Sequence, residues 1–473
     1  MSADRPINAD VPTPGEPEPP TREEKQPEPE QSPQPPADKG AEPEAAADKT
    51  ETKAVAPPPP PPPKRQRQSI PGALKGIAAL VLVAIIFIVA AVIGGSGGGK
   101  GDAESAAPAP PATSGSKPSE SSTDTSAEQL GYPSFATGNT TRVGGSDPAT
   151  NAAGVALAVF PATTPEQRPA AVTLVGEDDP AGAIAAAVLM SAPVRAPLLV
   201  SDSEGLPDPT AEALDALDPQ GSKETGGASA FAIGDVAAID GGKVTQVKAG
   251  SPAATAAAIA RLRDRLFGAP PTHVVVAAAD DLALAAPAAA WAARSGDPVL
   301  FTEGGKLPQA TIAALKRHPQ VPVYVLGPSA AISSQTLREI AKVAKKVHRV
   351  SGEDPVANAI AFARYADGSF GWNVNDPGHG FVLARADSPL EAAAAAPLSA
   401  SGTWGPLLLT DSATALPDPL REYFLDVKPG YTTNPTRAFY NHVWVIGDQE
   451  AIDVNQQAEV NELAELAKIG GEQ

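Results

Sequence analysis

The chain contains no cysteine, only five histidines in 473 residues, and 4% aromatic side chains. Without cysteine there is no disulfide framework, no thiolate metal site and no thiol nucleophile, so a folded state has to be held by packing. The histidines (His273, His318, His348, His379 and His442) show no H-x-x-x-H or H-E-x-x-H spacing. That removes the usual histidine metal sites and leaves them as strand-edge or surface residues. No P-loop, no G-x-S-x-G elbow and no G-x-G-x-x-G pattern occurs in the part of the chain with folding periodicity, so neither a metal nor an organic cofactor is expected. Positive charge is scarce as well. A formal net charge of -19 repels phosphates instead of releasing their counterions, which excludes nucleic acid. The carboxylate pairs Asp178-Asp179 and Asp280-Asp281 follow apolar runs and are open to acid–base work or to helix capping. Capping needs nothing further, and the chain reads as non-enzymatic.

What the sequence has in quantity is proline and one long apolar run. Residues 77–93, IAALVLVAIIFIVAAVI, carry no charge and no proline, and at 1.5 Å rise per residue they cover roughly a 30 Å hydrocarbon core. Some seventy residues precede this run, too many for the short leader of a secretory signal, so an uncleaved membrane anchor is expected over 72–95. Lys64, Arg65, Arg67 and Lys75 lie before it, which places the N-terminus in the cytoplasm and the C-terminal part outside it. The tail 1–71 is Pro, Glu, Lys, Ala and Gln with almost no large apolar side chain, and is expected to be disordered. Residues 96–134, rich in Gly, Ala, Pro, Ser and Thr, read as a flexible linker.

From Tyr132 onward the chain repeats itself three times at a spacing of about 100 residues. Each copy opens alike: Thr141-Arg-Val-Gly-Gly-Ser-Asp147-Pro, Thr245-Gln-Val-Lys-Ala-Gly-Ser251-Pro and His348-Arg-Val-Ser-Gly-Glu-Asp354-Pro. A β-rich run follows (AAVTLVG, THVVVAA, HGFVLAR), then an Ala-rich helical block and a proline-led strand (PLLVSD, PVLFTE, PLLLTD). A Leu-Pro pair opens a second helical block, and each copy ends on AFAIGDVAAI, VYVLGPSAAI or VWVIGDQEAI. Continuous apolar strands alternating with helices predict parallel βαβ units covered on both faces. The expected fold is α/β, with copies at 135–241, 242–344 and 345–473, the last carrying insertions and a C-terminal helix. Asp147, Ser251 and Asp354 before proline are placed to cap helix starts, as are Asp208 and Asp418; ligand contact is the other use of such acids.

The repeats resemble the cell wall-binding repeat 2 family, modules that occur in threes on Gram-positive surface proteins. The resemblance covers about Thr141 to Ile452 and is carried by the R-x-x-G-x-D openings (Arg142, Gly145, Asp147; Arg349, Gly352, Asp354), the proline-led strand with its Leu-Pro, and the closing glycines Gly234, Gly327 and Gly447. It implies three Rossmann-like modules in a pseudo-threefold arrangement and attachment to anionic cell-wall polysaccharide. The chain departs from the family where the opening continues Pro-Ala or Pro-Val in place of Arg-Tyr, and where Gln246 replaces the opening arginine. An acid the family carries in the helix after the second strand falls on Gly182, Leu282 and Glu391.

The candidate polymer-binding residues come from two sources. Motif matches supply Arg142, Asp147, Asn151, Thr255, Arg349, Asp354 and Asn358, and strand ends, where open α/β sheets place their sites, supply Asp202 and Asp411. Copy three adds two insertions, DGSFGWNVNDPGH and PGYTTNPTRAFYN, that collect Phe370, Trp372, Tyr431, Phe439, Tyr440 and Arg437. Aromatic faces there either stack on sugar rings, with Trp372, Tyr431 and Arg437 as the contacts, or pack against a neighbouring copy. The reading is thus a membrane-tethered, non-catalytic envelope protein that binds wall polysaccharide and meets membrane lipid through 77–93. A scaffold for envelope or cell-division proteins is the alternative.

Overall fold

The structure, a computed structural model, describes residues 135–469 apart from 137, 240 and 402. The apolar run 77–93, the tail 1–71 and the linker 96–134 lie outside the described residues. Among those described, no helix is long and apolar enough to cross a membrane.

The strands in chain order are β1 (Phe135–Ala136), β2 (Thr140–Val143), β3 (Val172–Gly176), β4 (Leu198–Ser201), β5 (Ala230–Ile233), β6 (Val244–Val247), β7 (Val274–Ala278) and β8 (Val299–Thr302). They continue as β9 (Val323–Leu326), β10 (Val347–Val350), β11 (Gly380–Arg385), β12 (Leu407–Thr410), β13 (Gly430–Tyr431), β14 (His442–Ile446) and β15 (Ala467–Lys468). Three larger parallel sheets result, ordered β4-β3-β5-β6, β8-β7-β9-β10 and β12-β11-β14-β2, the last edged by the short antiparallel β1, and β13 pairs with β15 in a separate two-stranded parallel sheet. Central strands such as VTLVG and VVVAA are buried at every position, which is why they read as unbroken apolar runs. The proline-led strands lie at sheet edges, where a missing N–H costs nothing. The carbonyls of Pro197, Pro298 and Pro406 accept from the central strand in all three sheets, at 2.8–3.0 Å.

The last strand of each of the three larger sheets comes from the opening segment of the next copy. β6 opens copy two but pairs with β5, and β10 opens copy three but pairs with β9. β2, from the beginning of copy one, pairs with β14 at the end of copy three, so the three modules close into a ring. The register is the same at each seam: Gln246 opposite Ala232, Arg349 opposite Val325, and Arg142 opposite Val445. Two residues further on, Gly234, Gly327 and Gly447 donate their N–H to Val247, Val350 and Val143. These glycines turn the chain off the strand at φ +74°, +122° and +95°, backbone that a Cβ disfavours.

The Ala-rich blocks meet at the centre of the ring. Helices Pro180–Ala186, Pro287–Ser295, Pro389–Ala394 and Ala396–Ala400 pack on one another, and Ala183, Ala288, Ala289, Ala392 and Ala393 are fully buried there. Methyl side chains let helix axes approach closely, so alanine is the residue this junction needs. Asp147, Ser251 and Asp354 cap their helices as expected, each accepting the N–H three residues on. Asp208 and Asp418 do not: the cap positions are Pro207 and Pro417, and the acids stand one residue inside, where they meet the helix dipole instead.

Candidate functional site

Beyond the carboxyl ends of the strands each sheet opens into a cleft, and each cleft is finished by the loop of the copy that follows. The first, about 620 Å³, lies between Gly176–Asp179, Asp202-Ser203, Gly234-Asp235 and the segment Ala249 to Thr255. The second, about 470 Å³, is lined by Asp280, Asp281, Leu284, Gly304-Gly305, Pro328 and Glu353. The third, about 450 Å³, takes Arg385, Asp387, Glu391, Asp448 and Glu450 from copy three with Gly145, Ser146 and Asn151 from copy one. Parallel strands end on turns whose backbone amides face outward, so a cleft at this edge follows from the topology.

The clefts are acidic, and their carboxylates divide into two kinds. Asp179 and Asp281 cap the following helix, accepting from Gly182 N at 2.7 Å and Leu284 N at 3.2 Å. Burial raises the Asp179 carboxyl above its ordinary value, against the Gly182 bond that lowers it. Asp178, Asp280 and Asp387, one residue earlier, hold equivalent and exposed places in the three clefts. The capping register also corrects the position of the family acid in copy two, which falls on Leu284 and not on Leu282. In copy three that place is Glu391, pushed up to about 7 chiefly by burial and then by Asp147, Asp448 and Asp387, with an Asn151 hydrogen bond opposing. Arg385 answers part of this charge. Its Nε and Nη2 donate to Asp387 at 3.1 and 2.6 Å, and its buried Nη1 has no protein acceptor.

The opening arginines do not face the clefts as ligands. Arg142 is 1% exposed, and its donors go to the carbonyls of Gly447 (2.7 Å), Asp448 (2.6 Å) and Ile452 (2.6 Å) and to Gln457 Oε1. Arg349 donates in the same way to Gly327 O and Ile332 O, and Gln246 makes one such bond, 2.7 Å to Gly234 O. The position fastens each borrowed strand to the turn it crosses. For Arg142 this revises the expectation of a polymer-binding cation, because a guanidinium out of water with all five donors spent has none left for an anion. Arg349 is half-buried and spends two of its donors on carbonyls.

The remaining candidates separate. Asp147 and Asp354 are caps, accepting from Thr150 N and Ala357 N. Asn151 and Asn358 are buried and hold the opening loops through Gly145 N and Gly352 N, Asn358 also donating to Leu284 O. Asp202 and Thr255 do meet, in the first cleft, where Asp202 accepts from Ser203 Oγ and Glu204 N and is held below the usual carboxylate range by those bonds. Asp411 is exposed just past β12.

The aromatic insertions divide as well. Phe370 is 2% exposed and stacks on Tyr324 of the second module, centroids 3.6 Å apart. Trp372 meets Trp291 edge-on at 5.5 Å beneath Arg294. This first insertion is an intermodule wedge, the packing alternative. Tyr431 pairs with Lys468 through β13 and β15, while Arg437, Phe439 and Tyr440 face solvent. Of the two places expected for the histidines, strand edge or surface, His273 takes the first: it stands directly before β7, 6% exposed and hydrogen-bonded to Asp297. Asp297 lies 24 positions along the chain, a spacing that belongs to no motif.

The fold and its clefts define a ring of α/β modules built by repetition. Residues 250–337, the body of the second copy, match the family described as Cell wall binding domain 2 (CWB2), the repeat family that the sequence resembles. Among solved structures the chain is similar to Cwp8 from Clostridium difficile, at 21% identity and TM-score 0.52, over 69% of this chain and 52% of that one. It is similar also to Cwp6 from Clostridium difficile, at 19% identity and TM-score 0.54, over 69% of this chain and 47% of that one. The chain thus spans about half the length of these proteins, and at such identity the likeness shows the fold. No curated protein matches the chain.

Proposed function

We propose that this protein is an envelope-facing module, tethered to the membrane by residues 77–93 with its N-terminus in the cytoplasm, that holds a cell-wall polysaccharide in its three clefts. The observation that supports this most is the repetition of one cleft at the carboxyl end of every sheet in a chain that carries a wall-binding repeat. Three modest sites on one rigid body gain by effective concentration when the ligand is itself a repeating chain. Carboxylates and backbone groups accept from sugar hydroxyls, and the clefts' acidity favours a hydroxyl-rich stretch of polymer over its anionic groups. For anionic groups of the polymer, Arg385 lines the third cleft, Lys248 pairs with Asp235 at the first, and Arg437 is exposed. Holding a polymer in this way requires no bond to be made or broken.

The test replaces the three equivalent exposed acids, Asp178→Ala, Asp280→Ala and Asp387→Ala, singly and together, and measures retention on purified wall. Each single change is expected to lower affinity about tenfold or more, at about 1.5–3 kcal/mol for a lost hydrogen bond to a charged group, and the triple variant to lose binding. Asp387→Ala also removes the partner of Arg385 and is expected to lower thermal stability, so binding is compared in the folded fraction. A triple variant that binds as the parent does refutes the cleft assignment.

A further inference from the structure

We propose that Ser369, His273 and Asp297 form a nucleophile–base–orienter array able to hydrolyse small acyl esters, separate from the clefts and independent of polymer binding. The three residues come from different parts of the ring. His273 precedes β7, Asp297 follows the helix Pro287–Ser295, and Ser369 sits at the tip of the tight turn between Asp367 and Phe370. The wedge that seats Phe370 against Tyr324 carries Ser369 to a histidine 96 positions away.

The array runs from the carboxylate outward. Asp297 is 1% exposed and grips the histidine twice, Oδ1 accepting from His273 N at 2.8 Å and Oδ2 lying 3.0 Å from His273 Nδ1. Trp291 Nε1 donates to the same Oδ2 at 3.0 Å. A carboxylate only accepts, so Nδ1 carries the proton of the neutral ring and Nε2 presents its lone pair. Ser369 Oγ stands 3.3 Å from Nε2, so the hydroxyl is the donor. Phe370 and Tyr324 meet the imidazole edge-on at 5.3 and 5.6 Å and fix its plane. A structural clamp needs only the His273, Asp297 and Trp291 bonds; the exposed serine aligned on the remaining ring nitrogen is what a clamp leaves without a use. Nucleophile on base, at 3.3 Å, and base on a third group is the arrangement by which a serine is activated.

The reaction balances with water alone. Ser369 Oγ forms a bond to the acyl carbon as its proton passes to Nε2, the bond from that carbon to the alcohol oxygen breaks, and Nε2 returns the proton to the departing alkoxide. Water then attacks the acyl carbon, Nε2 takes its proton and delivers it to Ser369 Oγ as that bond breaks. The products are a carboxylic acid and an alcohol. Ser369 is exposed at a turn tip and lines none of the three clefts described above, so those clefts offer it no seat for a long acyl chain, and the class of substrate is an ester of a small acyl group.

The test uses the full-length protein in detergent, a fluorophosphonate probe and p-nitrophenyl acetate. The expected result is one adduct mapping to Ser369, absent after heat unfolding and absent in Ser369→Ala, and ester hydrolysis roughly 10²-fold above that variant, the lower end of what a positioned base contributes. Ser369 is exposed and its side-chain bond is to His273, which Asp297 still holds, so the variant is expected to fold, and matching circular dichroism establishes that it has. No adduct, an adduct that survives in Ser369→Ala, or equal hydrolysis by the two proteins overturns the proposal. Wall retention of Ser369→Ala is expected to equal that of the parent, so failure of this proposal and failure of the binding reading are told apart.

Discussion

Ring closure rests on Arg142, and Arg142→Gln measures it. The native side chain places its donors on three carbonyls of the turn after β14 and on Gln457. Glutamine at the matching place in the first sheet, Gln246, reaches one carbonyl only. The substitution therefore removes at least two charge-assisted bonds and leaves buried carbonyls bare. At about 1.5–3 kcal/mol for each such bond, less whatever the turn recovers by relaxing, the loss is about 3–5 kcal/mol. Against a total of roughly 5–15 kcal/mol that is a large fraction. Over the described residues it corresponds to a fall in Tm of about 5 °C or more, read by calorimetry. Hydrogen exchange locates the change: amides of β2 and β14 are expected to lose protection first, because they form the seam. Gln246→Ala, on a more exposed strand, is expected to cost about 1 kcal/mol. An unchanged Tm with lost wall retention refutes the reasoning, since it makes Arg142 a ligand and not a fastener.

Three further outcomes are expected. Glu391 has its folded pKa raised from 4.5 to about 7, so its contribution to stability is present below 4.5 and is lost as pH rises through about 7. Glu391→Gln should flatten that decline, by at most about 3 kcal/mol between pH 4 and 8, in urea titrations across pH. Phe370→Ala removes a buried ring stacked across the seam and should cost about 3–5 kcal/mol, with wall retention intact in the fraction that remains folded. Protease added to intact cells should release the repeats and leave the N-terminal tail protected; a protected C-terminal part would reverse the topology.

The three-copy plan, the parallel sheets and the capping of Asp147, Ser251 and Asp354 were legible because each is written locally, as an apolar run or as a cap beside a proline. The seams were not. β6 and β2 carry polar residues in an edge-strand pattern, so TTRV and VTQV read as the approach to a helix, and nothing in sequence order says that a strand joins the sheet before it. For the same reason Arg142 and Arg349 look like ligands: a lone cation in a loop motif gives no sign that its donors meet carbonyls more than 300 positions away in one case and 22 or fewer in the other. The clefts were half legible. Strand-end acids such as Asp202 and Asp235 mark the correct edge, but only the ring shows that each cleft takes its last wall from the next copy. Aromatic content was no guide to exposure, since Phe370 is buried while Phe439 is 70% exposed.

Cosedimentation with purified wall, before and after extraction of its polysaccharide, tests the central claim most directly. The full-length protein in detergent is expected to pellet with intact wall, to stay in solution once the polysaccharide is removed, and to be displaced from intact wall by the released polymer. Pelleting that survives extraction and is abolished by protease treatment of the wall contradicts the account, and makes the ring a platform for other proteins.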